Sequence, residues 1–324
     1  MKRILSGLRP TGKVHIGNYF GALKNWIRFQ DEYSCFFEIA DLHVLTTDIN
    51  QIQILKKNII ETAKDWISIG IDPDKSVIFV QSSVKEHAEF HLLLSMIVTV
   101  SRLERNPTLK EQIKDIGKTE ELISYGHLGY PVLQTADILL YKPEKVPVGE
   151  DQLPHLELTR ELARKFNSLF GETFPIPEPI LSESPRIPGI DKRKMSKSLN
   201  NAIFLSDSKE ELESKIKRAF TDPQKIKLGD KGHPEGCVVF AYHNLVNSEE
   251  VPEIKENCES GKLGCVECKK KCSLKMNLFL EPIREKRNEI KDSKVKEILL
   301  EGTIKAKEVA GKTMEEVREK MNLW

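Results

Sequence analysis

Residues 10–18 have the composition of a phosphate-binding turn. They follow a short apolar run at residues 4–8, and apolar residues at helical spacing follow between residues 19 and 30. This order predicts a turn between a strand and a helix. A helix N-terminus offers unpaired backbone N–H groups and a positive dipole end, and His15 adds a side-chain donor beside them. A structural histidine in an ordinary glycine turn also fits these residues.

The run from Lys194 to Ser198 reads K-M-S-K-S and falls on a predicted loop. Lysine ammonium groups bind phosphate as point charges, although lysine and serine are also typical of a solvated loop. Several prolines before and within this region predict a stiff, extended linker. They are Pro175, Pro177, Pro179, Pro185 and Pro188.

Asp137 is a carboxylate in an otherwise apolar stretch. Residues 128–140 fit a helix whose spacing puts Tyr130, Gln134 and Asp137 on one face. A carboxylate in apolar surroundings needs hydrogen-bond donors. An arginine, a backbone cap or the N–H group of a ligand would each supply one.

Strands and helices alternate through the first half of the chain, which predicts an α/β fold with a parallel sheet. The predicted strands cover residues 4–8, 35–40, 76–81 and 146–148. The predicted helices cover residues 19–30, 52–66, 91–105, 128–140 and 153–166. Ligands of such sheets bind beyond the carboxyl ends of strands, where residues 10–18 and 41–43 fall. His43 fits a structural histidine, and Glu150 and Asp151 suit either ribose hydroxyls or a helix N-terminus.

The second half of the chain is helical and charged, and it contains a cluster of cysteines. Ser208 and Glu211 have the spacing of a capping box, and long helices are predicted between residues 274 and 322. Four thiolates at the observed spacings fit zinc or an iron–sulfur cluster, and unligated thiols are the alternative. The cysteines are Cys237, Cys258, Cys265 and Cys268, followed by Cys272.

Composition limits the classes of partner and compartment. The 324 residues carry a net charge of +1, so any contact with RNA must be a local patch. The hydrophobic content of 39% supports a core, and the length suits two domains. No segment approaches about 18 apolar residues, and the apolar run after Arg3 is too short for a signal peptide. We therefore expect a cytoplasmic protein without a membrane segment.

Two motifs of this chain together resemble the signatures of class I aminoacyl-tRNA synthetases, usually written HIGH and KMSKS. They are H-I-G-N at residues 15–18, with Asn18 in place of the second histidine, and K-M-S-K-S at residues 194–198. Further stretches resemble bacterial tryptophanyl-tRNA synthetases, and the likeness covers essentially the whole chain. These stretches are residues 103–105, 135–141, 146–152 and 155–160. The cysteine spacing resembles the subset of that family that carries a 4Fe-4S cluster.

The resemblance implies a Rossmann-like, parallel-sheet catalytic domain at residues 1–185. Residues 186–285 would hold the KMSKS loop, a helical anticodon-binding domain and the cysteine cluster, and helices at 286–324 would pack back on the catalytic domain. The implied enzyme activates L-tryptophan with ATP and Mg²⁺ to tryptophanyl-adenylate and transfers it to tRNA(Trp). A homodimer is implied as well, together with a 4Fe-4S cluster on the first four cysteines, with Zn²⁺ as the alternative.

The resemblance also implies roles for individual residues, and Asp137 would accept the indole N–H of tryptophan. The rest of the implied tryptophan site is Leu5, Gly7, His43, Tyr130, Gln134 and Gln152. Leu5 and Gln134 stand where phenylalanine and methionine are expected. The implied ATP contacts are Arg9, Pro10, Thr11, Gly17, Asn18, Gly149, Glu150, Asp151, Ile187, Lys194, Met195, Ser196, Lys197 and Ser198. The implied catalytic residues are His15, Lys194 and Lys197.

Three other functions fit parts of the pattern. A tyrosyl-tRNA synthetase shares the fold and both signatures, but residues 135–141 and 149–152 disfavour it. Other adenylate-forming nucleotidyltransferases share the His-x-Gly turn but lack the helical half and the K-M-S-K-S run. A non-catalytic tRNA-binding relative would have lost its phosphate-binding groups, whereas His15, Lys194 and Lys197 are all present.

Overall fold

The computed structural model describes residues 1–115, 123–181, 187–197 and 199–324. Contacts divide the chain into two compact units. The first unit consists of Met1–Gly12, Asn25–Ser182 and Lys291–Trp324. The second unit consists of Lys13–Lys24 and Glu183–Ile290. The predicted domain boundaries near residues 185 and 285 stay a prediction.

A parallel sheet organises the first unit, and its described part has five strands in the order β3-β2-β1-β4-β5. The strands are β1 (Arg3–Leu8), β2 (Ser34–Ile39), β3 (Ser76–Val80), β4 (Lys145–Val148) and β5 (Glu178–Leu181). The central strands β1 and β2 are mostly buried, as expected for a parallel sheet covered on both faces. The predicted Rossmann-like α/β fold with a helical second half is confirmed.

Strand β5 was not predicted, because its sequence contains proline and was interpreted as part of an extended linker. Pro179 pairs with Val146 of β4 in the register of the two strands. Since β5 is an edge strand, the missing N–H group of Pro179 need not break a ladder hydrogen bond on its outer side. An edge position therefore reconciles proline with a strand.

The helices largely follow the predicted periodicity. In chain order they are α1 (Ile16–Asn18), α2 (Lys24–Phe29), α3 (Asp41–Thr47), α4 (Leu55–Ser68), α5 (Glu86–Ser95), α6 (Val100–Glu104), α7 (Pro107–Asp115), α8 (Tyr125–Leu140), α9 (Leu153–Phe170), α10 (Lys209–Arg218), α11 (Val238–Val246), α12 (Val251–Glu259), α13 (Cys265–Glu289) and α14 (Asp292–Lys320). A π-helical turn at Tyr19–Leu23 joins α1 to α2. Within the described ranges, no helix has the length and apolar character needed to cross a membrane.

The single helix predicted at residues 91–105 is wrong, because the structure has two helices there, α5 and α6. Thr99 before α6 has an extended backbone. The β-branched residues Ile97, Val98 and Thr99 have lower helix propensity, and the first two pack against the core. Core packing thus favours an interruption between α5 and α6, whereas the apolar pattern alone predicted one continuous helix.

The capping box predicted before α10 is confirmed. Ser208 Oγ accepts a hydrogen bond from the Glu211 N–H group at 3.2 Å, and Glu211 Oε2 accepts one from the Ser208 N–H group at 2.8 Å. Two backbone donors at the helix N-terminus are satisfied reciprocally, which fixes where the helix begins.

Helix α14 approaches β3 within the first unit at a glycine. A Cβ atom on Gly302 would lie 1.9 Å from the carbonyl oxygen of Ile78, so only glycine allows this approach. Near the end of α14, the Arg318 guanidinium donates two hydrogen bonds to the Glu89 carboxylate, at 2.8 and 2.5 Å. Backbone proximity and a bidentate ion pair together hold the helix in place.

We predict that Gly302→Ala lowers the free energy of unfolding by about 2–3 kcal/mol, because the methyl group forces the helix away from the strand. Denaturant unfolding measures the effect. The matched control is Gly311→Ala in the same helix, where an added Cβ meets no atom within 4 Å. Helix propensity should make that control about 0.5–1 kcal/mol more stable. Equal effects of the two substitutions would contradict the close approach at Gly302.

Candidate active site

Asp137 lies on α8, is 3% exposed and accepts hydrogen bonds from three side chains of the first unit. His43 Nε2 donates to Oδ2 at 2.8 Å, and His87 Nδ1 donates to Oδ1 at 2.6 Å. Gln81 Nε2 lies 2.9 Å from both carboxylate oxygens. The sequence left the donor open between an arginine, a backbone cap and a ligand, and two histidines and a glutamine supply it instead.

Further hydrogen bonds orient these donors. The Leu42 N–H group donates to Gln81 Oε1 at 3.0 Å, so the amide nitrogen of Gln81 must face Asp137. The Tyr141 hydroxyl lies 2.9 Å from His87 Nε2. Burial raises the pKa of Tyr141, so the hydroxyl keeps its hydrogen and donates it to His87. His87 then carries its own hydrogen on Nδ1, facing the carboxylate.

The hydrogen bonds keep Asp137 ionised despite its burial. Burial by itself would raise the pKa of this carboxyl group, but the hydrogen bonds from His43 and His87 lower the pKa below its usual range. A carboxylate has about four lone-pair positions, and the three donors make four hydrogen bonds to Asp137, because Gln81 Nε2 is shared between the two oxygens. A ligand N–H group would therefore bind Asp137 in place of one of the two hydrogen bonds from Gln81.

Tyr130 lies beside His43, with 6.1 Å between ring centroids, and its hydroxyl bonds to His155 Nε2. Asn106 Oδ1 accepts the N–H group of Thr108 at 3.1 Å, so Asn106 Nδ2 donates to His155 Nδ1, also at 3.1 Å. Burial lowers the pKa of His155 to about 4, so the neutral ring carries its hydrogen on Nε2 and donates it to Tyr130. The Tyr130 hydroxyl hydrogen is thereby directed to another acceptor.

Three further residues of the predicted tryptophan site lie on strand β1 and helix α8 of the first unit. Leu5 is buried on β1, and Gly7 pairs with Glu38 of β2. A Cβ atom on Gly7 would lie 2.9 Å from the Glu38 carbonyl oxygen, so the position requires glycine. Gln134 lies one turn before Asp137 on α8, half-buried.

The predicted ATP contacts of the first unit lie on two turns after strands. One turn contains Arg9, Pro10 and Thr11, closed by a 2.8 Å hydrogen bond from the Thr11 N–H group to the Arg9 carbonyl oxygen. The other follows β4 and contains Gly149, Glu150, Asp151 and Gln152. The first turn follows β1 and the second follows β4, and these two strands are neighbours in the sheet. Both turns therefore follow the carboxyl ends of adjacent parallel strands, as predicted.

His15 forms a capping box with Asn18 in the second unit. The Asn18 N–H group donates to His15 Nδ1 at 3.1 Å, and Asn18 Oδ1 accepts the His15 N–H group at 3.4 Å. Burial lowers the pKa of His15 to about 4, so the ring is neutral at pH 7 and carries its hydrogen on Nε2. Asn18 thus has a defined structural role where the usual signature has histidine.

The expectation of unpaired N–H groups at this helix start needs correction. The Ile16 N–H group donates to the Ile203 carbonyl oxygen at 2.9 Å, and the Asn18 N–H group is held by His15. Protein acceptors therefore already satisfy these two donors. His15 Nε2–H is the group at this turn that suits a phosphate oxygen.

The two signature segments lie side by side within the second unit. Residues 14–16 pair with residues 203–205, which follow the lysine loop directly. A Cβ atom on Gly17 would lie 3.4 Å from the Met195 sulfur. Lys194 and Lys197 are exposed on this loop, and partial burial and then the charge of Lys13 lower the pKa of Lys197. Proximity of the segment that contains His15 to the loop that contains the lysines suits binding of one polyphosphate.

Asn201 organises the lysine loop, and sequence reasoning missed it. Its side chain is 1% exposed; Oδ1 accepts the Ser196 N–H group at 2.8 Å and Nδ2 donates to the Lys194 carbonyl oxygen at 3.0 Å. Nδ2 also donates to Asp191 Oδ1 at 2.8 Å. A Cβ atom on Gly189 would lie 2.3 Å from Asn201 Nδ2, so this position also requires glycine. Ile187 is buried nearby in sequence, and Ser198 lies outside the described residues.

The first four cysteines of the cluster line one pocket of the second unit. Burial, followed by the neighbouring thiols of Cys237, Cys258 and Cys265, raises the pKa of Cys268 to about 12. Cys272 is fully buried on α13 and does not line this pocket. Cys237, Cys258, Cys265 and Cys268 are therefore the thiols that could hold a metal centre, and Cys272 is not among them.

The parallel sheet and the paired signature segments are typical of a nucleotide-binding class of enzyme, and comparison with known proteins gives the family. The model for class I tRNA synthetases (W and Y) matches residues 1–281. The chain belongs to this family.

Two relatives and one solved structure show which members of the family this chain resembles. A tryptophan–tRNA ligase from Thermotoga maritima is 53% identical over 326 residues, covering 99% of both chains. One from Aquifex aeolicus is 46% identical over 393 residues, covering 99% of this chain and 100% of the relative. The crystal structure of tryptophanyl-tRNA synthetase from Campylobacter jejuni, complexed with ADP and tryptophan, matches with a TM-score of 0.88 and 37% identity, covering 99% of this chain and 100% of that one.

We predict that Asn201→Ala slows ATP-dependent amino-acid activation about 10- to 100-fold, because the lysine loop loses three hydrogen bonds and its lysines lose their position. Pyrophosphate exchange measures the rate. Asn200→Gly is the matched control, since the backbone of Asn200 has a positive φ of 50° that glycine adopts freely. Equal rates for wild type and Asn201→Ala would contradict the organising role.

Proposed function

We propose that this chain is a tryptophan–tRNA ligase. It activates L-tryptophan with ATP and Mg²⁺ to tryptophanyl-adenylate and transfers the amino acid to the 3′ end of tRNA(Trp). The observation that carries the proposal is Asp137, a buried carboxylate that its donors keep ionised and that can exchange one of its two hydrogen bonds from Gln81 for a ligand N–H group. The names of the relatives and the tryptophan and ADP in the Campylobacter jejuni structure support it.

Asp137 accounts for amino-acid choice. The indole ring of tryptophan offers one N–H donor to Asp137, whereas phenylalanine offers none and would gain no hydrogen bond from this carboxylate. Rejection of a substrate that lacks a required donor reaches about 10⁴–10⁵ in another synthetase. The tryptophan site would be completed by the other residues on these elements. They are Leu5, Gly7, His43, Tyr130, Gln134 and Gln152.

Adenylate formation requires charge stabilisation more than covalent catalysis. An oxygen of the tryptophan carboxylate forms a bond to the α-phosphorus of ATP, and the bond from that phosphorus to the bridging oxygen breaks as pyrophosphate leaves. His15 Nε2–H would donate to a phosphate oxygen, and Lys194 and Lys197 would neutralise the leaving pyrophosphate. Mg²⁺ would be held largely through phosphate oxygens.

The rest of the proposed ATP site consists of backbone turns and the lysine loop. It comprises Arg9, Pro10, Thr11, Gly17, Asn18, Gly149, Glu150, Asp151, Ile187, Met195, Ser196 and Ser198. The helical second half would recognise the anticodon. We further propose a homodimer in the cytoplasm.

The first four cysteines would hold a 4Fe-4S cluster, with Zn²⁺ as the alternative. Their common pocket supports a bound cation, which would favour the thiolates, since burial raises the thiol pKa of Cys237, Cys258 and Cys268. Lys269, Lys270 and Lys271 follow Cys268 in sequence and would meet tRNA phosphates; Lys270 is exposed and the other two are half-buried. The role of the centre would be structural or RNA-positioning.

Pyrophosphate exchange with tryptophan, with tyrosine and without amino acid tests the proposed reaction. We predict exchange with tryptophan alone, and a fall of about 10- to 100-fold in kcat/KM for tryptophan in Asp137→Asn, because a neutral amide replaces the charged acceptor. Asp31→Asn is the matched control, since Asp31 is an exposed partner of Lys75. Exchange with tyrosine would reassign the substrate. No exchange with either amino acid would indicate a non-catalytic relative.

We predict that Cys265→Ala loses the bound metal, because three thiolates no longer complete the site, whereas Cys272→Ala retains it. Metal analysis and the visible absorbance of anaerobically purified protein measure the outcome. A brown protein with iron supports 4Fe-4S, and a colourless protein with stoichiometric zinc supports the alternative. Retention of metal by Cys265→Ala would contradict the proposed ligand set.

A further inference from the structure

Glu38 is a second buried carboxyl group next to Asp137. It lies on β2 and is 2% exposed. Neither of its side-chain oxygens has a hydrogen-bond partner in the part of the chain that the structure describes. One carboxyl oxygen of Glu38, one of Asp137 and a ring nitrogen of His87 all lie within 4.8 Å of one another. A buried carboxyl group with no donor is unusual and calls for a physical explanation.

Two carboxylates this close in a buried site cannot both be ionised at ordinary cost. Asp137 has three donors that stabilise its charge, and Glu38 has none. The negative charge therefore belongs on Asp137 and the proton on Glu38. Burial first, and then the charges of Asp137 and Asp41, raise the pKa of Glu38 well above its ordinary value.

Among the residues that the structure describes, the groups facing Glu38 include no cation that would reverse this assignment. Asp137 and Tyr141 face Glu38 from α8, His87 from α5 and Asp41 from α3. On the flanking strands, the residues paired with Glu38 are Gly7 of β1 and Phe79 of β3, and neither carries a titratable group. Among these groups, His87 is already committed to Asp137 and Tyr141.

Glu38 also adjoins the proposed tryptophan site. Its Cβ atom lies 3.2 Å from the position that a Cβ atom of Gly7 would take. The Glu38 side chain therefore extends from the same face of the sheet as this position, toward Asp137. Nothing in the sequence singled out Glu38, because an acidic residue within an apolar strand carries no motif.

We propose that Glu38, a buried neighbour of the tryptophan site, holds a proton at neutral pH, so that Asp137 carries the only negative charge of the pair. Asp137 can then accept the indole N–H without electrostatic repulsion from a second carboxylate. The inference rests on the proposed function for its effect on tryptophan, but the protonation of Glu38 can be measured without any substrate.

Infrared difference spectroscopy of wild type against Glu38→Gln at pH 7.5 tests the proton directly. We expect the C=O band of a protonated carboxyl group in wild type and its loss in the variant. Carboxylate bands in its place would overturn the proposal. Asp31→Asn, which removes an exposed ionised carboxylate, is the control for the opposite spectral signature.

Thermal unfolding between pH 5 and pH 8 gives a second readout. Between the unfolded pKa of about 4.3 and its raised folded pKa, Glu38 binds a proton only in the folded state, so rising pH destabilises wild type. Glu38→Gln lacks this proton linkage. We expect the Tm of the variant to rise relative to wild type by about 5 °C or more from pH 5 to pH 8. A constant difference would overturn the proposal.

The effect on the substrate is the third readout. Glu38→Gln keeps the neutral charge and the shape of the protonated side chain, so its KM for tryptophan at pH 7.5 should match wild type within about twofold. A tenfold higher KM would show that the variant removes a needed charge and would overturn the proposal. If wild type activates no tryptophan, the proposed function fails, while the spectra still decide where the proton lies.

Discussion

One buried negative charge, on Asp137, constrains the first unit more than any other interaction. A carboxylate with 3% exposure is stable only if donors replace water, and those donors come from three separate elements. His43 is on α3, Gln81 follows β3 and His87 is on α5. The charge therefore fixes the orientation of side chains around the carboxyl ends of β2 and β3. Tyr141 and the Leu42 N–H group extend the same network outward.

The second unit brings together the segment that contains His15 and the loop that contains Lys194 and Lys197. The segment containing His15 pairs with the segment that follows the lysine loop, and Asn201 ties the loop to its own base. In the capping box, His15 Nδ1 accepts a hydrogen bond from the Asn18 N–H group. The Nε2–H group of His15 is then the one that can donate to a ligand. The proposed phosphate binding would therefore depend on side chains more than on a helix dipole.

Local patterns predicted the elements well where one physical effect dominated. Apolar runs identified β1 to β4, and the spacing of Ser208 and Glu211 identified the start of α10. Strand β5 was not predicted because it contains proline. A strand tolerates proline at the edge of a sheet, and the position of a strand in the sheet depends on the tertiary fold. The break between α5 and α6 was likewise set by packing of Ile97 and Val98 against the core.

The site was only partly predictable for the same reason. Asp137 was recognisable as a buried carboxylate, but its donors are 94, 56 and 50 residues away in sequence. Glu38 and Asn201 follow no motif, since their importance depends on what the fold places beside them. Residues at turns and in signature motifs can be predicted from the local sequence. The distant residues that determine the protonation and orientation of a side chain cannot, because the fold brings them together.

Substrate analogues that differ only at the indole nitrogen test the central claim most directly. β-(3-Benzothienyl)alanine has the shape of tryptophan but carries sulfur in place of the N–H group, so Asp137 would gain no fourth donor. We predict a kcat/KM in pyrophosphate exchange at least about a hundredfold below that of tryptophan. Activation of the two amino acids within about threefold of each other would show that Asp137 does not recognise the indole N–H.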